Sequence, residues 1–325
     1  MSDLIPYAYL IIGLILLSGG ADYLIRGAVA VATRMNISPL VVGLTIVALG
    51  SSLPELIVCV RAAMAGASGI AVGNIVGSNI ANILLIIGAG ALMCPISANR
   101  NHFLRDSLLM LGATGLFIAI ALTGSFAATS GAIMIALLFV FLIFSYVQGR
   151  KHGTDDLSMI DMDEIAAGDA VTPLRATLWI VGGLIGVAVG AELLVGGATT
   201  IARGLGVSEE VIGLTMVAIG TSLPELATVI AAAAKRQTDL IVGNVMGSNI
   251  FNILGVMGVT ATVADVPVGG QILTFDIWVM AAAALILVPL MLSGSILNRK
   301  EGTACLALYA AYIAVQYIGV ERVFS

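Results

Sequence analysis

The chain has 325 residues, of which 59% are hydrophobic and only 10% charged, with a formal net charge of −5 and a mean hydropathy of +1.10. That balance excludes a water-soluble globular domain and places nearly the whole chain in hydrocarbon, as an integral membrane protein. No basic stripe or aromatic-basic interleaving is present, which excludes a nucleic-acid partner.

The apolar runs reach the ~20 residues a spanning helix needs and lack the period-two alternation of a barrel, so the fold is predicted to be all-α. In chain order, ten spans are expected at residues 4–33, 37–65, 69–96, 103–122, 127–147, 173–203, 207–235, 239–264, 272–292 and 303–320. The first and sixth are long enough to require a marked tilt. The N-terminal stretch has no positively charged leader and runs on beyond the ~7–15 residues of a signal-peptide core, so it is read as a retained first helix. Cys59, Cys94 and Cys305 stand alone in or beside apolar segments and are expected to be inert buried thiols.

Between the fifth and sixth spans, residues 148–172 form the one extended polar stretch. Its acids, Asp155, Asp156, Asp161, Asp163, Glu164 and Asp169, lack the EF-hand order of ligands around a central glycine, and a solvated linker is expected. The chain thus divides into a first five-helix half (1–147), an acidic cytoplasmic linker (148–172) and a second five-helix half (173–325). With the N-terminus outside, Arg34, Arg100, Arg105, Arg150, Lys151, Arg175, Lys235, Arg236, Arg299 and Lys300 all fall on the inside, against Arg203 and Arg322 outside. The positive-inside rule therefore predicts a multi-pass protein of the cell (inner) membrane with both termini extracytoplasmic.

The two halves are related. Residues 43–88 and 213–258 match without a gap at a constant offset of 170, with 24 of 46 positions identical. The offset spans five helices, an odd number, so the second copy crosses the membrane in the opposite sense. The expected architecture is two inverted five-helix repeats with the paired motifs meeting near the midplane.

Each copy carries a glutamate directly after a proline in an apolar stretch: Glu55 in GSSLPE and Glu225 in GTSLPE. A carboxylate at membrane depth is costly and is a functional residue by default. Pro54 and Pro224 lack an N–H and clash with the carbonyl four residues back, so each helix is expected to break near Gly50 and Gly220 and to free carbonyl oxygens. Irregular backbone at that depth survives only where it is buried in protein or lines a cavity. Glu55 and Glu225 supply anionic oxygens; Ser51, Ser52, Thr221 and Ser222 supply neutral ones. All are hard ligands that suit Ca²⁺ or Na⁺, and neither thiolate nor imidazole is present to favour zinc or copper.

In the second block, Asn74, Ser78 and Asn82 fall at steps of four on one helix face, as do Asn244, Ser248 and Asn252. They are expected to line the cation path. Gly73 with Gly77, and Gly243 with Gly247, form GxxxG patterns expected to serve helix packing. Asp22 and Glu192 also obey the offset. Arg26 lies four residues after Asp22 and offers a local ion pair, whereas Glu192 has no such neighbour; a minor role in ion entry or gating is left open.

Taken together, GLTIVALGSSLPE with GNIVGSNIAN and GLTMVAIGTSLPE with GNVMGSNIFN closely resemble the α1 and α2 repeats of the sodium/calcium exchangers of the cation/Ca²⁺ antiporter superfamily, over essentially the whole chain. The resemblance implies a ten-helix inverted-repeat fold with a central cluster of cation sites, in which the long first and sixth helices slide against the other eight. It implies that Glu55 and Glu225 are shared central ligands and that Ser51, Ser52, Thr221 and Ser222 line flanking Na⁺ sites. Ser78 and Ser248 would add side-chain oxygens, and Ala48 and Ala218 backbone carbonyls. Asn82 matches the asparagine common in prokaryotic members. Asn252 departs from the pattern, because several of these exchangers carry an aspartate there. A site with two formal negative charges holds three Na⁺ less comfortably than one with three, which raises the standing of proton coupling or a two-Na⁺ cycle.

The expectation is a secondary antiporter, not an enzyme, that exchanges cytoplasmic Ca²⁺ for external Na⁺ by alternating exposure of a midplane site. The alternative keeps fold and site but exchanges Ca²⁺ or another divalent cation for H⁺. No cofactor is expected beyond the transported ions, the chain has no Walker motif for ATP, and the lipid bilayer and a monomeric state complete the partners. An intramembrane hydrolase would need a base or metal-binding histidines in the motifs, and none is there. A passive channel fits the duplicated proline-glutamate breaks poorly.

Overall fold

In the computed structural model, residues 4–35, 37, 39–97, 100–157, 171–205, 218–292, 296–318 and 320 are described. The apolar runs form helices almost throughout. Helix α1 is Ile5–Met35, α2 covers residues 39–64 with a break at Ser52, α3 is Ser68–Met93, α4 is Arg100–Ala121 and α5 is Ala128–Leu157. In the second half, α6 is Pro173–Gly204, α7 covers residues 218–234 with a break at Ser222, α8 is Thr238–Val263, α9 covers residues 272–292 and α10 is Arg299–Ile318.

Among the described residues, seven of these helices are long and apolar enough to cross a membrane, and the bent α2 makes an eighth. Only residues 218–235 of the seventh expected span are described. The tenth is diluted by Glu301, Gln316 and three tyrosines. Helices α1 and α6, at 31 and 32 residues, are each about 46–48 Å long at 1.5 Å per residue. They exceed the ~30 Å hydrocarbon core and must tilt. Helix α5 continues to Leu157, so the start of the expected linker is helical. Asp161, Asp163, Glu164 and Asp169 of that linker, Arg322, and residues 213–217 of the second motif lie outside the described residues.

Burial sorts the helices. The apolar window of α8 is 100% buried and that of α3 72%, whereas the other spanning windows are 22–39% buried. The two helices bearing the Asn-Ser-Asn faces are therefore the centre of the molecule, and their polar groups face protein rather than lipid.

Helices α1 and α6 pack along their whole lengths through glycines spaced seven residues apart. A Cβ at Gly13 would meet Leu194 N at 2.7 Å and Gly190 O at 2.8 Å; one at Gly20 would meet Val187 N at 2.7 Å and Gly183 O at 2.8 Å; Gly27 faces Ile180 and Ala176. Position rises along one helix as it falls along the other, so the two run antiparallel. The residues are themselves related by the 170 offset: Gly13 with Gly183, Gly20 with Gly190, Gly27 with Gly197. Without a hydrophobic drive between helices in lipid, such close backbone approach supplies the packing. Gly43, Gly243 and Gly247 do the same where the first part of α2 crosses α8, at Leu40, Leu44 and Ala48.

Two short antiparallel strand pairs tie the halves together. Strand β1 (Ile96–Ser97) pairs with β4 (Ile296–Leu297), and β2 (Ser125–Phe126) with β3 (Val266–Pro267). Each joins a loop of one half to a loop of the other, and the offset carries one pair onto the other to within one residue.

Candidate cation site

The site is built on two broken helices. Ser52, with φ −85° and ψ 6°, and Ser222, with φ −90° and ψ 3°, leave the helical region, and the helices resume at Leu53 and Leu223. The two parts of α2 meet at 44°. The expected break near Gly50 and Gly220 thus has its kink two residues later. The physical reason is unchanged: Pro54 and Pro224 have no N–H to give the carbonyl four residues back, and proline is tolerated in the first turn of the resumed helix. Glu55 and Glu225 then sit in that first turn, where the positive end of the helix dipole favours a carboxylate.

Both glutamates are 1% exposed. The Ser52 hydroxyl donates to Glu225 Oε1 at 3.2 Å, so the two breaks lie one hydrogen bond apart. The Thr221 hydroxyl donates to Asn74 Oδ1 at 3.3 Å, joining the second break to α3. Asn82 Nδ2 donates to Asn249 Oδ1 at 3.2 Å, joining α3 to α8. The motif residues of both repeats are thereby brought to one buried centre.

What distinguishes this centre is oxygen without a protein partner. Among the described residues, both carboxylate oxygens of Glu55, Oε2 of Glu225, the hydroxyls of Ser222 and Ser248, Oδ1 of Asn82 and both amide atoms of Asn244 and Asn252 are buried without a hydrogen-bond partner. A buried polar group left unmatched costs about 1–3 kcal/mol, more when charged, so a cluster of them is not a packing device. Among the described residues no cation pairs with either glutamate, and no group of three or more His, Cys, Asp or Glu side chains forms elsewhere. The donor set is two carboxylates with neutral hydroxyl and amide oxygens, which fits Ca²⁺ or Na⁺.

The remaining predicted ligands are placed as follows. Ser51, 2% exposed, donates to the Ala48 carbonyl at 3.4 Å, and that carbonyl also accepts the Ser52 N–H at 3.1 Å. Ser78 is 4% exposed on the buried face of α3. Ala218 opens the described part of α7. Asn82 and Asn252 stand where the helices widen into π turns, at Asn82–Ile86 and Phe251–Met257. A π turn inside a helix re-aims side chains and is frequent at functional positions. The second-repeat glycines of the GxxxG pattern, Gly243 and Gly247, pack as expected, whereas among the described residues nothing lies within 4 Å of a Cβ at Gly73 or Gly77, so the packing expected of the first-repeat pair is not seen there.

Three features went unread in the sequence although the 170 offset marks them. Asn79 and Asn249 form another buried pair; Asn79 donates to its own helix at Ile75, while Asn249 touches the site through Asn82. Asp106 and Asp276 are buried acids at equivalent positions, the first held by Arg105 at 2.7 and 3.0 Å, the second by Tyr312, Gln271 and Gln316. Both are satisfied away from the centre and read as structural. The third is the glycine series on α1 and α6. Asp22 does pair with Arg26, as expected, at 2.7 Å, and also with Lys235 at 2.6 Å.

Comparison with known proteins agrees with this geometry. The family model described as sodium/calcium exchanger protein matches residues 5–147 and 175–318. The chain is 40% identical to the putative antiporter CaxA of Alkalimonas amylolytica over 97% of its own length and 98% of that protein. It is 30% identical to the sodium/calcium exchanger MaX1 of Methanosarcina acetivorans, over 96% and 99%. A solved structure of the sodium-calcium exchanger NCX_Mj superposes with a TM-score of 0.83 at 33% identity, covering 96% of this chain and 98% of that one.

Proposed function

The chain belongs to the sodium/calcium exchanger protein family, as a membrane-embedded cation/Ca²⁺ antiporter and not an enzyme, and from that premise we propose that it expels cytoplasmic Ca²⁺ in exchange for external Na⁺ across the inner membrane. The observation that carries the site is the cluster of buried, unpartnered oxygens around Glu55 and Glu225. Two carboxylates with no cationic partner among the described residues are neutralised by one Ca²⁺ or by two Na⁺. The two ions compete for the same oxygens, so the centre is loaded with one or the other, and that exclusivity is what exchange requires.

The architecture is two inverted five-helix repeats. Support comes from the antiparallel run of α1 against α6 through offset-related glycines, and from two strand pairs between the halves that the offset carries onto each other to within one residue. In such repeats rocking of one set of helices against the other exposes a fixed midplane site to each side in turn. Ser51, Ser52, Thr221, Ser222, Ser78, Ser248, Asn82 and Asn252, with the Ala48 and Ala218 carbonyls, complete the coordination. Both termini lie outside by the positive-inside count.

Ca²⁺ uptake into everted vesicles is the decisive measurement. Vesicles loaded with Na⁺ are expected to take up Ca²⁺ when diluted into Na⁺-free medium, and an imposed pH gradient is expected to drive little. The reverse result would assign H⁺ as the coupling ion. The observation favouring that second reading is the amide at Asn252, which leaves only two acids at the centre. Accordingly Asn252→Asp is expected to steepen the Na⁺ dependence while changing half-saturating Ca²⁺ less. An unchanged Na⁺ Hill slope would remove Asn252 from the Na⁺ path.

A further inference from the structure

The two repeats are nearly equivalent in sequence but not in their contacts, and the charges follow the difference. Helix α1 lies along the second part of α7, and Asp22 bridges to Lys235 just beyond its end at 2.6 Å while holding Arg26 at 2.7 Å. By the 170 offset the matching arrangement would lay α6 along the second part of α2 and set Glu192 against its end. That arrangement is not present: α6 meets the first part of α2, where Leu184 covers Gly50. Glu192 and Arg61 are both exposed, and neither has an ion pair among the described residues.

An unpaired glutamate and an unpaired arginine within apolar spans are each costly, and such residues ordinarily find a partner. Position 65, the counterpart of Lys235, is Ala65. Arg61 stands one turn earlier on the same face, and its own counterpart is Ala231. The cation has moved by one turn between the repeats, within reach of a longer side chain.

We propose that Asp22–Lys235 and Glu192–Arg61 are alternating ion-pair latches, the first holding one side of the transport path closed in the arrangement described and the second holding the other side closed after α1 and α6 have rocked over. The inference rests on the alternating-access reading above. In the orientation given there, the first latch closes the cytoplasmic side and the second the external side. The pairs do not bind the transported ion; they set which face the site spends its time open to.

The test uses the full chain in membranes, with its buried Cys59, Cys94 and Cys305 as background. One pair of substitutions is Asp22→Cys with Lys235→Cys, the other Arg61→Cys with Glu192→Cys. Treated with a short bifunctional thiol reagent during Ca²⁺ turnover and read by intact mass, both pairs are expected to cross-link and both cross-links to stop transport. Failure of the 61–192 pair to cross-link in protein that still transports would overturn the proposal. Cross-linking reads geometry whichever ion drives the cycle, so this failure is separate from failure of Na⁺ coupling in the vesicle assay.

A second measurement compares half-saturating Ca²⁺ on the two faces. Lys235→Met is expected to shift their ratio about threefold one way and Glu192→Gln about threefold the other, the range of a partly exposed ion pair. Shifts in the same direction, or none, would also overturn it.

Discussion

Glu55→Gln and Glu225→Gln should each abolish cation exchange while leaving the protein inserted and folded. Glutamine keeps the volume and one acceptor oxygen but removes the charge, so a Ca²⁺ at the centre would face one carboxylate instead of two. Removing one partner of a buried ion pair typically costs about 3–5 kcal/mol, and each 1.4 kcal/mol is a factor of about ten in affinity. Half-saturating Ca²⁺ should therefore rise by about two to three and a half orders of magnitude, beyond the working range of a vesicle assay. Folding should move the other way or not at all. Among the described residues both carboxylate oxygens of Glu55 and Oε2 of Glu225 have no protein partner, so neutralising either acid relieves an unmatched buried charge. Thermal unfolding in detergent separates the two effects. Wild-type protein should be stabilised by added Ca²⁺, by about 2.7 kcal/mol at a hundredfold excess over Kd, and both variants should lose that shift while unfolding no earlier than wild type without Ca²⁺. Normal exchange by either variant would remove the central-ligand assignment.

The legible part of this molecule was what the duplication wrote twice. Because α3 and α8 carry the same Asn-Ser-Asn spacing, and α2 and α7 the same proline-glutamate break, periodicity placed the polar groups on one face and the offset paired them. Burial of Glu55, Glu225, Ser222, Ser248, Asn82 and Asn252 follows that reading. The kink fell two residues from the expected place because a proline's missing hydrogen bond marks the carbonyl four residues back, whereas the dihedral change is absorbed by the serine two residues before the ring. The fifth apolar span, expected at 127–147, is found at Ala128–Gln148, and the helix runs on to Leu157 because the polar stretch from residue 148 loses hydropathy but not helical propensity.

The ion pair of Asp22 with Lys235 could not be read from local spacing, since its partners lie on different helices of different repeats. Its sequence trace is an asymmetry, lysine at 235 against alanine at 65, in a duplication otherwise searched for likeness. Departures from the repeat are thus as informative as matches. Matching positions supply the buried polar pairs of the candidate site, and the mismatch at 65 and 235 supplies the ion pair on which the proposed latch rests.

The glycine series of α1 and α6 yields the other large effect. Gly20→Val and Gly190→Val should each lower the exchange rate by at least about tenfold and reduce thermal stability, whereas Gly19→Val and Gly196→Val should do neither. A Cβ at Gly190 would stand 2.5 Å from Leu17 N and 2.8 Å from Gly13 O, and one at Gly20 2.7 Å from Val187 N. These neighbours are backbone atoms, which cannot rotate aside, so contact distances of about 3.5–4 Å are reached only if the helices separate by about an ångström. Overpacking of this kind costs about 1–3 kcal/mol. The separation also reaches the site, because α6 covers both breaks, Leu184 against Gly50 and Val195 against Gly220. Gly19 lies one position from Gly20, and Gly196 six positions from Gly190 on the same helix, yet nothing lies within 4 Å of a Cβ at either. They control for helix propensity and for membrane insertion, leaving the approach of the two backbones as the variable. Exchange rates in vesicles and unfolding temperatures in detergent, measured on all four variants, decide the matter. Equal losses at Gly19 and Gly20 would mean that glycine serves helix flexibility rather than the α1–α6 contact.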